Sequence, residues 1–125
     1  MTKEAIIYNF WSSFNLPAYE ENSVPTGDKA PNFPYITYQV VTDSLGSNVS
    51  ATGSIWYSST SWKEINAKTE EISKDIGIGG KRIACDNGLI WIKRGLPFAQ
   101  SMGDPEDDKI KRKLINLEIN YLTEN

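Results

Sequence analysis

The spacing of apolar residues switches between a helical period and a strand period along the chain. In residues 3–14, Ile7, Trp11 and Phe14 fall on one helical face, with Ile6 and Phe10 beside them. Side chains three or four positions apart lie over one another on a helix, so this spacing predicts a short amphipathic helix. Thr2 is its expected N-cap, and Pro17 helps to stop it. Further on, Ser61-Trp62-Lys63-Glu64 has the form of a capping box, in which hydroxyl and carboxylate each satisfy a backbone N–H. The helix it opens carries Trp62, Ile65, Thr69, Ile72 and Ile76 in one stripe, and Gly77, Gly79 and Gly80 end it.

Elsewhere the period is two. Residues 34–44 are rich in β-branched and aromatic side chains and predict a strand entered through Pro34. Leu45-Gly46-Ser47-Asn48 reads as a turn. In 49–58, Val49, Ala51, Gly53, Ile55 and Tyr57 alternate with Ser50, Thr52, Ser54, Trp56 and Ser58. These two segments are expected to form an antiparallel hairpin. In 82–93, Asn87-Gly88 stands between apolar runs, the signature of a type I′ turn whose two central residues need positive φ. That register sets Cys85 opposite Ile90 and Ile83 opposite Ile92. In 112–122, Ile115, Leu117, Ile119 and Tyr121 alternate with Asn116, Glu118 and Asn120, as in a half-buried strand.

Two segments lack any period and are expected to be long loops, at about 16–33 and 95–109. Together these elements predict an α+β fold over one domain, residues 1–125. Its single mixed or mainly antiparallel sheet has about five strands, with two helices packed on one face, in the order α-β-β-α-β-β-β.

Composition narrows the chemistry. The 125 residues contain no histidine, which removes the commonest general acid–base and metal ligand. His-dependent nucleophile triads and Cys/His zinc sites are thereby excluded. The one cysteine, Cys85, forms no internal disulfide; it lies in an apolar run and reads as a small buried hydrophobe in a reducing compartment. Net charge is −3, unlike the basic balance usual for domains that bind phosphate backbone. Gly77-Ile78-Gly79-Gly80-Lys81-Arg82 resembles a phosphate loop in composition. It follows a helix and opens a hairpin, the reverse of the required context, so it reads as a helix stop and turn. The acidic run Asp104-Pro105-Glu106-Asp107-Asp108 lacks the spacing of a calcium loop, which leaves a solvated loop as the simpler reading. A basic run, Lys109, Lys111, Arg112 and Lys113, follows it.

The expected protein is not an enzyme, uses no cofactor or metal, and lies neither in a membrane nor on a specific nucleic-acid sequence. No run of about 20 apolar residues and no leader pattern occurs, which predicts a cytoplasmic protein. The residues with no core role are apolar tips on the loops and the charges beside them. Tyr19, Phe33, Leu96, Phe98, Met102, Asp104, Asp107, Asp108, Lys109, Lys111 and Arg112 are therefore the candidate contacts to another subunit or partner. Loops ordered by a partner and plain surface loops both fit this pattern.

The element order resembles a known family. A short helix runs into Asn15-Leu16-Pro17-Ala18-Tyr19; a long loop leads to Phe33-Pro34-Tyr35-Ile36-Thr37-Tyr38; a second strand, a helix after Ser61 and a hairpin follow; and a last strand holds Leu117-Glu118-Ile119-Asn120-Tyr121. Over nearly the whole chain this is similar to the tail terminator (tail completion) proteins of long-tailed bacteriophages and prophages of Gram-positive bacteria. The resemblance implies a structural protein of virion assembly. It would form a homo-oligomer, a hexameric ring that caps the tail tube, halts its polymerisation and meets the head. Its partners would be the tail tube protein and head–tail connector proteins, and its place the host cytoplasm during assembly and then the head–tail junction. Other neck or head-closure components share much of the pattern. A small non-enzymatic binding module is the reading from a different class.

Overall fold

A computed structural model describes residues 1–125. It has two helices, α1 (Lys3–Ser12) and α2 (Lys63–Ile76). Six strands accompany them: β1 (Ala18–Glu20), β2 (Tyr35–Tyr38), β3 (Ser47–Ser58), β4 (Lys81–Cys85), β5 (Gly88–Gly103) and β6 (Ile110–Thr123). The strands form one curled sheet in the order β1-β2-β3-β6-β5-β4. β1 runs parallel to β2 and every other pair is antiparallel, so the sheet is mixed and the fold is α+β.

Thr2 caps α1 as the sequence predicts, its Oγ1 accepting from Ala5 N–H at 3.1 Å. The second cap differs from a capping box. Ser61 Oγ accepts from Lys63 N–H at 3.1 Å, but Ser61 N–H donates to Ser59 Oγ, not to Glu64. The stripe Ile65, Thr69, Ile72 and Ile76 is buried, and Gly77 follows the last helical residue with φ 76°. Lys68 reaches from α2 to donate to Phe14 O at 2.7 Å, placing a cation just past the end of α1, where the helix dipole is negative.

Strand register sorts the side chains. Ile36 pairs with Ile55, Ala51 with Leu117, Val49 with Ile119, and Ile92 with Ile119, so these residues share one face. Both helices cover that face, and one hydrophobic core joins Ile6, Ile7, Phe10, Trp11 and Phe14 to the strand isoleucines and Tyr121. The other face has no helix over it.

Three expectations are corrected. The stretch 16–33 is not all loop: Ala18–Glu20 is a strand, parallel to β2 and extended by Ile36 N–H to Pro17 O and Glu21 N–H to Tyr38 O, both 2.8 Å. Three residues cannot display a period, so only the distant partner defines them. The stretch 95–109 is mostly strand as well, because β5 runs on to Gly103. Between Arg94 and Ala99 it bulges outward while β6 advances by the single residue Asn116, whose Nδ2 donates to Pro97 O at 2.9 Å. Pro97 and Gly95 signal a bulge here rather than a strand end. The sheet thus has six strands, not five.

The hairpins also differ in detail. β2 stops at Tyr38, and residues 39–46 cross the sheet end, where Leu45 N–H and Gly46 N–H donate to Thr123 O and Tyr121 O. In the β4–β5 hairpin Cys85 pairs with Gly88 and Ile83 with Ile90, so the two-residue loop is Asp86-Asn87. A Cβ on Gly88 would lie 2.0 Å from Leu122 O. Its bare Cα is needed for the close approach of β5 to β6, which moves the turn back by one residue. The register shifts by two, so every side chain keeps its expected face.

Candidate functional site

The uncovered face carries a lateral row of large side chains. Tyr35 of β2 is the cross-strand partner of Trp56 of β3, Trp56 of Arg112 of β6, and Arg112 of Met102 of β5. The Tyr35 and Trp56 rings stack, with centroids 6.2 Å apart and planes 16° from parallel. The Arg112 guanidinium lies 4.9 Å from the Trp56 ring centroid, within cation–π range. Tyr19 of β1 meets Tyr35 edge-on at 6.3 Å, and Phe33 tilts against it at 5.4 Å. Polar neighbours fix the row: Trp56 Nε1 donates to Thr37 Oγ1 at 2.9 Å, and Arg112 Nε to Ser54 Oγ at 3.0 Å. Met102 and Phe33 stay 42% and 39% exposed at its ends. A shallow cleft of about 220 Å³ opens between Trp56, Met102, Asp104, Pro105, Ile110 and Arg112.

A second cleft, of about 550 Å³, lies where β4 begins beside β5. Trp91 forms its floor, with Arg82 at 4.5 Å and Lys93 at 4.7 Å from the ring centroid. Gly80, at φ 83°, brings the glycine turn against Trp91, whose Nε1 donates to Gly79 O at 2.9 Å. The Gly77–Gly80 run therefore seats a tryptophan. Ile78 and Leu96, both 98% exposed, stand at the rim with Phe98 and Arg94.

Of the residues singled out from sequence, Tyr19, Phe33, Met102, Asp104 and Arg112 converge on the row and its cleft. Leu96 and Phe98 line the second cleft. Asp107, Asp108 and Lys109 lie on the exposed link between β5 and β6. Lys111 does not belong with them: it is only 8% exposed, its ammonium turned inward over the Trp62 ring and donating to Asp108 O. It occupies the same strand phase as Lys113 and Ile115, the helix side of β6. Tyr35, Trp56, Trp91, Arg82, Lys93 and Ile78 are not among the contacts singled out from sequence. A signal was present for two of them, since Trp56 and Trp91 fall on the polar phase of their strands.

Burial pushes the Tyr35 phenol above its ordinary range, so it stays neutral. Cys85 is half-buried, and burial, then Asp86, push its thiol up, away from the reactive thiolate. No group of three or more Cys, Asp or Glu side chains lies close enough to hold a metal ion. Asp104 and Asp107 instead accept from Glu106 N–H and Lys109 N–H at 2.8 and 2.9 Å, which folds the acidic link. No helix is long and apolar enough to cross a membrane. No protein-family model matches the chain, and no curated protein sequence matches it significantly.

Proposed function

We propose that this chain is a structural assembly protein of the tail-terminator kind. In this reading its copies form a ring, six to the turn, that closes the end of a phage tail tube and offers a surface to the head. Two independent considerations support it. The element order resembles that family over nearly the whole chain. The uncovered sheet face, in turn, bears the residue types that dominate protein–protein contacts, since aromatic, Met and Arg side chains are enriched at interface cores. The single observation that carries the association half is the Tyr35–Trp56–Arg112–Met102 row, which spans four strands with no helix over it. Tryptophan and tyrosine on a solvated sheet face gain most when a partner removes them from water.

The test is electron microscopy of tail tubes polymerised with and without the protein. Tubes of defined length, each closed by a ring, are the expected result. Tubes whose length ignores the protein would sink the proposal. Binding to a portal-side component without any effect on tubes would point to head closure instead.

A further inference from the structure

From the placement of unpaired charge we infer that the Trp91 cleft is the docking site for the acidic β5–β6 link of a second copy of this chain. This rests on the assembly reading above and names the surface by which neighbouring copies meet.

The molecule forms few ion pairs. Met1 joins Asp86, Lys68 joins Glu71, and Lys81 joins Asp75. Two opposite clusters therefore remain unmatched. At one end of β5, Arg82, Lys93 and Arg94 surround the cleft with no carboxylate paired to any of them, Arg94 donating only to the Ser73 hydroxyl of α2 at 2.9 Å. The nearby acids are engaged elsewhere: Asp75 holds Lys81, and Glu118, across from Lys93, accepts from Asn48 and Ser50 at 2.9 and 2.8 Å. At the other end, Asp104, Glu106, Asp107 and Asp108 crowd one exposed link and make no ion pair. Lys109 is the one exposed cation among them, because Lys111 is turned inward and Arg112 lies over Trp56.

The clusters cannot meet within one chain. Arg94 is paired with Leu117 and Gly103 with Lys111, so the cleft and the start of the link lie six β6 positions apart, about 20 Å. The link is a tight connection folded by its own aspartates and cannot swing back over that distance. A second copy can bring its link to the cleft. The apolar parts complement one another as well: Ile78, Leu96 and Phe98 rim the cleft, while Met102 and Pro105 border the acids. β5 also has no strand neighbour beyond Ile92 on the β4 side, so a free backbone edge begins where the cleft opens. Two different surfaces in contact either meet twice about a two-fold axis or run head-to-tail into a closed ring or an open fibre, and the ring reading takes the head-to-tail form.

Complementary charge reversal tests this. One variant carries Glu106→Lys and Asp108→Lys, whose carboxylates make no hydrogen bond in the chain. The other carries Lys93→Glu and Arg94→Glu. Circular dichroism confirms that each folds, and sedimentation across a concentration series reads assembly. Each variant alone should self-associate at least about tenfold more weakly than the wild type, from like charge across the contact. An equal mixture should restore assembly, because each link then meets a cleft of opposite sign in alternating order. If the separate variants assemble as the wild type does, the docking site is wrong while the ring reading stands. If they fail and the mixture does not recover, the docking site is likewise wrong. A wild type that stays monomeric both at millimolar concentration and on tail tubes overturns both.

Discussion

The two faces of the sheet are built from the same strands and differ only in phase. On one phase stand Ile36, Ile55, Ile90, Ile92, Ile115 and Ile119, all 0–1% exposed, closed over by both helices. On the other stand Tyr35, Trp56, Trp91, Arg112 and Lys93, partly open to solvent. The covered face is dominated by branched aliphatics, which lock into one packing and carry no polar atoms. The open face uses rings and cations, which stack on each other in solvent and remain adequate partners for something else. The first face specifies the fold, and the second is free to specify an encounter. A substitution on the first should therefore show in stability, and one on the second should show in association first.

Gly53→Ala probes the covered face most severely. Gly53 lies on β3 opposite Ile115, and a Cβ there would fall 2.5 Å from the Trp11 ring. Trp11 is 1% exposed and stacks against Tyr38 at 6.3 Å, so it has nowhere to retreat. Overpacking of this kind costs about 3 kcal/mol, at the upper end of its usual range. Thermal unfolding should fall by roughly 10 °C for a domain of this size. A fall under about 2 °C would mean that α1 can slide on the sheet, and that the covered face is less closely packed than its burial implies.

A smaller effect comes from pH. Tyr121 is fully buried, its hydroxyl donating to Val41 O, and its pKa is pushed up to about 12, mainly by burial and then by Glu4 and Asp43. In the unfolded chain the phenol ionises near its ordinary value of about 10. Between those values the unfolded state loses its proton first. The contribution is therefore complete below about pH 10 and disappears as pH rises through about 12, a loss of about 2.7 kcal/mol at most. Urea unfolding across that window should show it, and Tyr121→Phe should flatten the slope. An unchanged slope would assign the alkaline loss to the other tyrosines.

What the sequence makes legible follows from how local each signal is. Helix α1 with its Thr2 cap, the α2 stripe and the Ile115–Tyr121 alternation are local patterns, and the structure keeps them. Strand β1 is three residues defined only by β2. The bulge at Gly95–Phe98 exists because Asn116 bonds Pro97, a partner 19 residues away. Both depend on non-local pairing that no window of sequence contains. The contact residues divide in the same way. Exposed apolar tips such as Leu96 and Met102 stand out singly. That Tyr19, Phe33 and Arg112 share a row follows from strand order and register, which the sequence does not display. The tryptophans on the polar phase are the one local clue to that face: a large ring among serines and lysines is costly to leave in water unless something uses it.

Arg112→Lys should be the mildest change in stability and the most selective between the faces. It keeps the charge and strand length but removes Nε–H, and with it the 3.0 Å bond to Ser54 Oγ. It also replaces a planar guanidinium over Trp56 by a compact ammonium that hydrates more strongly. Ser54 is 4% exposed, but its hydroxyl can turn toward another acceptor, so the loss should stay below about 1 kcal/mol. Association should respond more, because arginine is a frequent hot spot at interface centres and lysine is not. The expected pattern is a melting temperature within about 4 °C of the wild type together with reduced capping of tail tubes. A variant that melts much earlier would show that Arg112 holds the sheet together, and the open face would lose its claim to be free for a partner. A variant that caps tubes normally would move the contact off this row, and leave the Trp91 cleft as the surface by which copies meet.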